Sequence, residues 1–463
     1  MNNWLAALLG LTLLRLILAA MIPLSPDETY YWLWSINLQP GYFDHPPMVA
    51  YWIRAGTFFA GDTPLGVRLL GPLAAAVGSI MLWDAGENFL PKRHAGIMAA
   101  ALFNATIILA VGAVIITPDT PLVFFWTAAI AALGRLYASR DPRWWIVVGA
   151  AAGLALLSKY TAILLVVCIF LWLVMRREGR KTLRTPWPWA GVLLAGAIFA
   201  PDFLWNAAHH WVSFRKQGGR VEGFDIARSA DFLAELVAGQ IGLNTPIIFA
   251  LAAAGLWRIR SLADSGAQLL LWLTLLPAAV FLEHVLSGRV ESNWPAIMLP
   301  SAFLAAAYVP EKTMQRWLRP ALALGLLLSA VAYAQALAHP LPIPADEDPS
   351  ALQLAGWQGF ADQIAAKKPA YVTSDEYTVM SELVFYTPPG LPIVGFDERW
   401  AVFSLPLAGI PTGAPGLFIT RRRDAPCPTA LGTATRERDG ELIATYRLCS
   451  FTAFPKMYLL PHP

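Results

Sequence analysis

The chain has 463 residues and a formal net charge of +3; 57% of the residues are hydrophobic, only 14% are charged, and mean hydropathy is +0.51. A soluble domain does not carry that balance, whereas a multi-spanning membrane protein does. So small a net charge also argues against nucleic acid as a partner.

A run needs roughly 20 apolar residues to cross a bilayer. Candidate spans lie at about 4–23, 64–83, 94–115, 119–138, 143–158, 160–175, 187–204, 241–257, 267–283, 293–310 and 320–338. The first lacks a basic leader and a cleavage site and reads as a retained span rather than a signal peptide. The fifth and sixth form one apolar stretch, too long for a single crossing, broken at Ser158-Lys159-Tyr160, where a tight hairpin is expected. The expected fold is therefore an all-α polytopic bundle of about eleven transmembrane helices.

Alternate loops carry the basic residues. With the N-terminus in the cytoplasm, the cytoplasmic loops hold Lys92 and Arg93; Arg135, Arg140 and Arg143; Arg176 to Arg184; Arg258 and Arg260; and Lys312, Arg316 and Arg319. The other face collects mixed charges, among them Asp27, Glu28, Asp44, His45, Asp119, Lys159, Asp202, His209, His284, Arg289 and Glu291. An odd number of spans puts the C-terminal tail on that same face.

Two loops on the mixed-charge face are long. Loop 24–63 interleaves charges with Tyr30, Tyr31, Trp32, Trp34, Tyr42 and Trp52, as expected for one or two short helices in the membrane interface. Loop 205–240 carries Trp205-Asn206, His209, His210 and Trp211, then Arg215, Lys216 and Arg220. The division expected is a membrane domain over 1–339 and a small external α/β domain over 340–463. In the latter, helices are expected near 350–368 and 376–386, and strands near 370–373, 391–395, 416–420 and 441–448. Cys168 lies inside an apolar span and reads as a packed thiol. Cys427 and Cys449 lie in the tail, where an oxidising compartment would let them pair; spacing alone leaves that open.

The chemistry concentrates in the first external loop. Asp27-Glu28 follow Ser25-Pro26, and the plainest account is a helix start with Ser25 as cap and acids in the first turn. Carboxylates so placed could also take a proton from a hydroxyl. In Tyr42-Phe43-Asp44-His45-Pro46-Pro47 the two prolines stiffen the backbone beside Asp44 and His45. One His and one Asp make a weak metal signal; no cofactor is assigned, and a divalent metal stays open. Asp119 after Pro118 reads as a helix start. Arg15, midway through the first span, is expected to pair inside the bundle.

An acidic pair after the first span, followed by a Tyr-Phe-acid-basic-Pro-Pro motif, resembles the bacterial protein O-mannosyltransferases and lipid A aminoarabinose transferases of the glycosyltransferase C superfamily. Further matching segments are Thr117-Pro118-Asp119-Thr120-Pro121, Leu157-Ser158-Lys159-Tyr160-Thr161-Ala162, Trp205-Asn206 with His209, and Glu291-Ser292-Asn293-Trp294-Pro295. The resemblance covers about residues 1–300 well and the tail loosely. It implies a sugar donor on a polyprenyl phosphate and transfer at the outer face of a bacterial inner membrane, to a lipid, glycan or protein acceptor.

Within that resemblance Asp27 matches the essential acid, Glu28 its companion, and Asp44 the acid of the second motif. His45 stands where the aminoarabinose transferases carry a lysine. A lysine is cationic at neutral pH whereas a histidine titrates near pH 6.5, which leaves the aminoarabinose specificity open, while other relatives of the family accept a histidine there. Lys159 and Arg289 are expected at the donor phosphate, with Tyr42, Asp119, His209, Arg215 and His284 as further binding candidates. In-line displacement by Asp27 acting as base would invert the anomeric carbon. The competing reading is a transporter or flippase of a lipid-linked sugar, which predicts related halves and charges deep in the bundle. A third is an assembly factor acting through its tail.

Overall fold

The computed structural model describes residues 2–91, 94–219 and 225–462. Lys92, Arg93 and Arg220 lie outside the described residues. The chain forms two compact units, one comprising 1–16, 44–49 and 70–332, the other 17–43, 50–69 and 333–463.

Among the described residues, six helices are long and apolar enough to cross a membrane: Asn3–Met21, Pro64–Phe89, Asp119–Ser139, Pro186–Ala208, Ser265–His284 and Glu311–Ala338. Two bent pairs raise the number to eight if each is one span, and shorter apolar helices cover Trp144–Leu156, Tyr160–Val174 and Trp294–Tyr308. Four expectations change in detail. The run 94–115 is two helices, Ala95–Asn104 and Ile107–Val114, meeting at 71°. Thr106 causes the break: its Oγ1 donates to the Phe103 carbonyl and accepts from the Leu109 N–H, starting a new helix. Loop 205–240 is largely helical, with Val212–Gly218 and Ile226–Asn244. The latter meets Pro246–Ile259 at 103°, inside the expected span 241–257. Proline disfavours helical backbone in the residue before it, and Thr245 sits at φ +63°, an uncommon conformation for a β-branched side chain. Finally, Lys312, Arg316 and Arg319 belong to the 28-residue helix Glu311–Ala338 rather than to a loop.

The first unit has a continuous apolar core that includes Leu82, Trp126, Leu165, Leu270 and Phe303, all at most 1% exposed. Glycines bring helix backbones together. A Cβ built on Gly149 would stand 2.2 Å from the Gly191 carbonyl oxygen, so the helices Trp144–Leu156 and Pro186–Ala208 meet through these two residues. Arg15 is buried and donates to Asn104 Oδ1 at 2.9 Å, while Asn104 donates to Ser79 and to the Ala100 carbonyl, the interior pairing its membrane position required. Cys168 is buried, with Sγ 3.1 Å from the Trp272 carbonyl oxygen.

The second unit carries the sheet. Strands are β1 (Val372–Ser374), β2 (Val394–Gly395), β3 (Pro415–Thr420), β4 (Ala430–Arg438), β5 (Glu441–Thr452) and β6 (Tyr458–Leu459). Four of them pair in the order β1-β3-β5-β4, β1 parallel to β3 and the rest antiparallel, with Phe418 opposite Cys449; β2 and β6 form a separate antiparallel pair. Strands β4 and β6 were not anticipated. The β4–β5 turn is Asp439-Gly440, both at positive φ, the turn chemistry that marks a tight hairpin in sequence. Cys427 and Cys449 form a disulfide with a Cα–Cα distance of 5.2 Å.

Candidate active site

In the second unit, the helix Pro26–Ile36 starts at Ser25 and places Pro26 at its first position. Its two acids then part ways. Glu28 is fully buried and reaches back to the Ser25 N–H at 2.9 Å and to its hydroxyl at 3.0 Å. Arg68, equally buried, clamps both Glu28 oxygens at 2.6 Å and spends its remaining N–H groups on the carbonyls of Ala19, Ile22 and Pro23. Three donors fall on Glu28 Oε2 and one on Oε1, so the carboxylate is engaged within the chain on both oxygens. Its role is to lock the start of this helix.

Asp27 is exposed, and the Tyr377 hydroxyl donates to its Oδ1 at 2.9 Å. Tyr377 opens the helix Tyr377–Tyr386. The Arg399 guanidinium lies over the rings of Tyr377, Tyr30 and Phe43 at 4.2, 5.0 and 5.1 Å and donates to the Tyr30 hydroxyl at 2.8 Å. Tyr42 is buried, its ring stacked on Trp34 at 4.3 Å; its hydroxyl accepts from the Gln39 N–H and lies 2.9 Å from the Trp34 carbonyl oxygen. Tyr42 therefore braces the loop rather than facing a ligand.

In the same unit Glu382 is buried, and burial pushes its carboxyl well above the usual range, against the pull of Thr29, Arg436 and Arg68.

The first unit holds a separate polar cluster. Asp119 accepts two hydrogen bonds from Lys159 Nζ, at 2.8 and 3.0 Å, and one from Asn293 Nδ2 at 2.7 Å. Lys159 Nζ also lies 5.2 Å from the centre of the Trp294 ring. Three segments singled out in the sequence thus converge. Asp119 does not cap its own helix, since Thr117 and Thr120 supply the local hydrogen bonds there. Asp44 and His45 are each 8% exposed just before the helix Met48–Ala60, and the Asp44 carbonyl accepts from the Gln217 side chain.

The remaining candidates are less concentrated. His209 stacks on Trp205 at 4.1 Å. Near it, buried Asp202 and Asn206 meet the Tyr160 hydroxyl, and Asn206 Oδ1 accepts from the Ser213 N–H. Arg215 is exposed in the last turn of Val212–Gly218. His284 ends the helix Ser265–His284, its ring 5.9 Å from that of Trp294. Arg289 is exposed and held in two-point fashion by Glu235 at 2.7 and 2.9 Å, with Glu291 at 3.8 Å, so its charge is largely answered within the chain. No group of three or more metal-ligating side chains is present among the described residues.

Arg68, Tyr377 and Arg399 escaped the sequence reading. Arg68 had a signal, an arginine within a run apolar enough to span. Tyr377 and Arg399 had none, because their relation to Asp27 crosses some 350 positions.

A family model described as dolichyl-phosphate-mannose-protein mannosyltransferase matches residues 44–205. Among curated proteins, the lipid A galacturonosyltransferase RgtD of Rhizobium johnstonii is 27% identical over 321 residues; the match spans 68% of this chain and 65% of that protein's length. Among solved structures, ArnT from Cupriavidus metallidurans bound to undecaprenyl phosphate shares the fold with a TM-score of 0.64 at 16% identity, over 97% of this chain and 98% of that one. The Archaeoglobus fulgidus oligosaccharyltransferase tethered with an acceptor peptide gives a TM-score of 0.50 at 11% identity, over 82% of this chain and 63% of the other.

Proposed function

We infer that this chain, which belongs with the protein mannosyltransferases and lipid A glycosyltransferases of the glycosyltransferase C superfamily, is a multi-pass membrane enzyme that transfers a sugar from a polyprenyl-phosphate donor to a lipid acceptor of the lipid A kind. The observation that carries this reading is the division of labour in the acidic pair. Glu28 is consumed by Arg68 in holding the helix, while Asp27 is exposed at its first turn with one oxygen held by Tyr377. A carboxylate so placed and oriented suits a base that takes the proton of an attacking hydroxyl, a role worth about 10²- to 10⁴-fold in rate. If the acceptor is itself a phosphate, Asp27 orients it instead. Displacement in line with the phosphate leaving group inverts the anomeric carbon. The alternation of basic loops supports an inner-membrane protein with a cytoplasmic N-terminus and its C-terminal α/β segment outside.

The test is transfer by purified protein in vesicles supplied with a radiolabelled polyprenyl-phosphate sugar. Asp27→Asn is expected to lower kcat at least 10²-fold while donor binding persists. Near-normal transfer by that variant removes Asp27 from the chemistry. Movement of labelled lipid across the vesicle without a new glycosidic bond would establish the flippase instead. Mass spectrometry of lipid A from cells lacking the gene names sugar and acceptor together; an unchanged lipid A profile would rule that acceptor out.

A further inference from the structure

We propose that Tyr377 is a positioning residue for sugar transfer, fixing the orientation and charge of Asp27, and that Arg399 strengthens it by polarising its ring. The inference rests on Asp27 being the base. The contact is built into the packing of two helices. Along Tyr377–Tyr386, Tyr377 donates to Asp27, Ser381 Oγ lies 3.3 Å from the Pro26 carbonyl oxygen, and Phe385 meets Trp32 edge-on at 4.9 Å. These are positions i, i+4 and i+8, one face of a helix laid against the start of Pro26–Ile36. The Tyr377 hydroxyl is therefore placed by register, not by chance surface contact.

The ring is held as firmly as the hydroxyl. It packs on Tyr30 with centroids 4.7 Å apart and has the Arg399 guanidinium 4.2 Å away. A cation against the π face draws electron density from the phenol and makes its O–H a stronger donor. A strong donor on one carboxylate oxygen favours the anion and one side-chain rotamer, the state a general base requires. Charged groups flank the pair. On its own helix Asp27 adjoins Glu28, answered by Arg68; the residue before Tyr377, Glu376, is paired with Arg421; Arg399 comes from the helix Glu398–Val402.

Steady-state kinetics on the full-length protein in vesicles test this. Tyr377→Phe is expected to lower kcat about 10- to 100-fold with KM for the donor within about two-fold. It should move the acidic limb of the kcat/KM profile upward, because the carboxylate loses a stabilising donor. Replacement of Tyr377 by 3-fluorotyrosine keeps the shape and makes the phenol more acidic, so the limb should move the opposite way. In the Asp27→Asn background Tyr377→Phe should cost nothing further. A purely structural tyrosine would leave the limb fixed in both variants, and that result overturns the proposal even if Tyr377→Phe folds poorly, since the fluorinated protein preserves the packing. Full activity of Asp27→Asn would instead overturn the underlying assignment of the base, which separates the two failures.

Discussion

Within the acidic pair, adjacency in sequence conceals a difference that burial decides. Glu28 and Arg68 are both fully buried and satisfy one another together with the Ser25 cap. Removing one partner of such a pair leaves an uncompensated buried charge and costs about 3–5 kcal/mol. Glu28→Ala or Arg68→Ala is thus expected to lower thermal stability sharply in a detergent melt, whereas Asp27→Asn, at an exposed position, should leave the melt within a degree or two while lowering kcat at least about 10²-fold. A destabilised Asp27→Asn protein would contradict this split. The motif made Asp27 legible as the candidate acid, but it assigned Glu28 to the chemistry beside it. That error has a physical origin: the neutralising arginine lies 40 positions away, and no local rule predicts the pairing.

At the scale of elements, apolar periodicity marks nearly every helix, and discrepancies fall where a single residue interrupts a run. Thr106 and Thr245-Pro246 each redirect the backbone, because side-chain capping or a proline ring outweighs the continuity of an apolar stretch. Glycine contacts are the converse case, where the absence of a side chain permits packing. Gly149 and Gly191 face each other with no space for a Cβ on either. Gly191→Leu should force the helices Trp144–Leu156 and Pro186–Ala208 apart and give aggregated or protease-sensitive protein, while Gly196→Leu on the same helix, with open space at its Cβ, should be tolerated. Equal behaviour of the two variants in size-exclusion profiles would remove the packing argument. In the sheet, β4 was invisible because its inward positions are Ala434, Arg436 and Arg438, which give no apolar alternation, although Asp439-Gly440 marked the turn beside it.

For the whole molecule, the second unit depends on ties between distant segments. Asp348 accepts from Gln335 at 2.7 Å, from the Ser350 N–H and hydroxyl, and from Arg438 in β4. Burial alone would raise its pKa, but the hydrogen bonds from Ser350, Gln335 and Arg438 outweigh it and hold the carboxyl at about 2. A depressed carboxyl stabilises the fold fully above its unfolded value near 4 and loses that contribution as pH falls toward 2, here about 2 kcal/mol. Thermal melts from pH 6 to pH 2 should show this loss in the wild type; Asp348→Asn should start less stable and show a flatter acid limb, and an unchanged limb would refute the assignment. Composition and hydropathy by themselves determined a polytopic helical membrane protein, because burial in lipid demands long apolar runs that nothing else in a sequence imitates. Short motifs singled out the polar residues worth asking about, because charges kept beside a membrane need a use. Only the tertiary structure decided what each polar residue does. It gave Glu28 to Arg68, Asp27 to Tyr377, and Lys159 to Asp119 and Asn293. Those partners are chosen by contact across tens to hundreds of residues, and contact is a property of the fold.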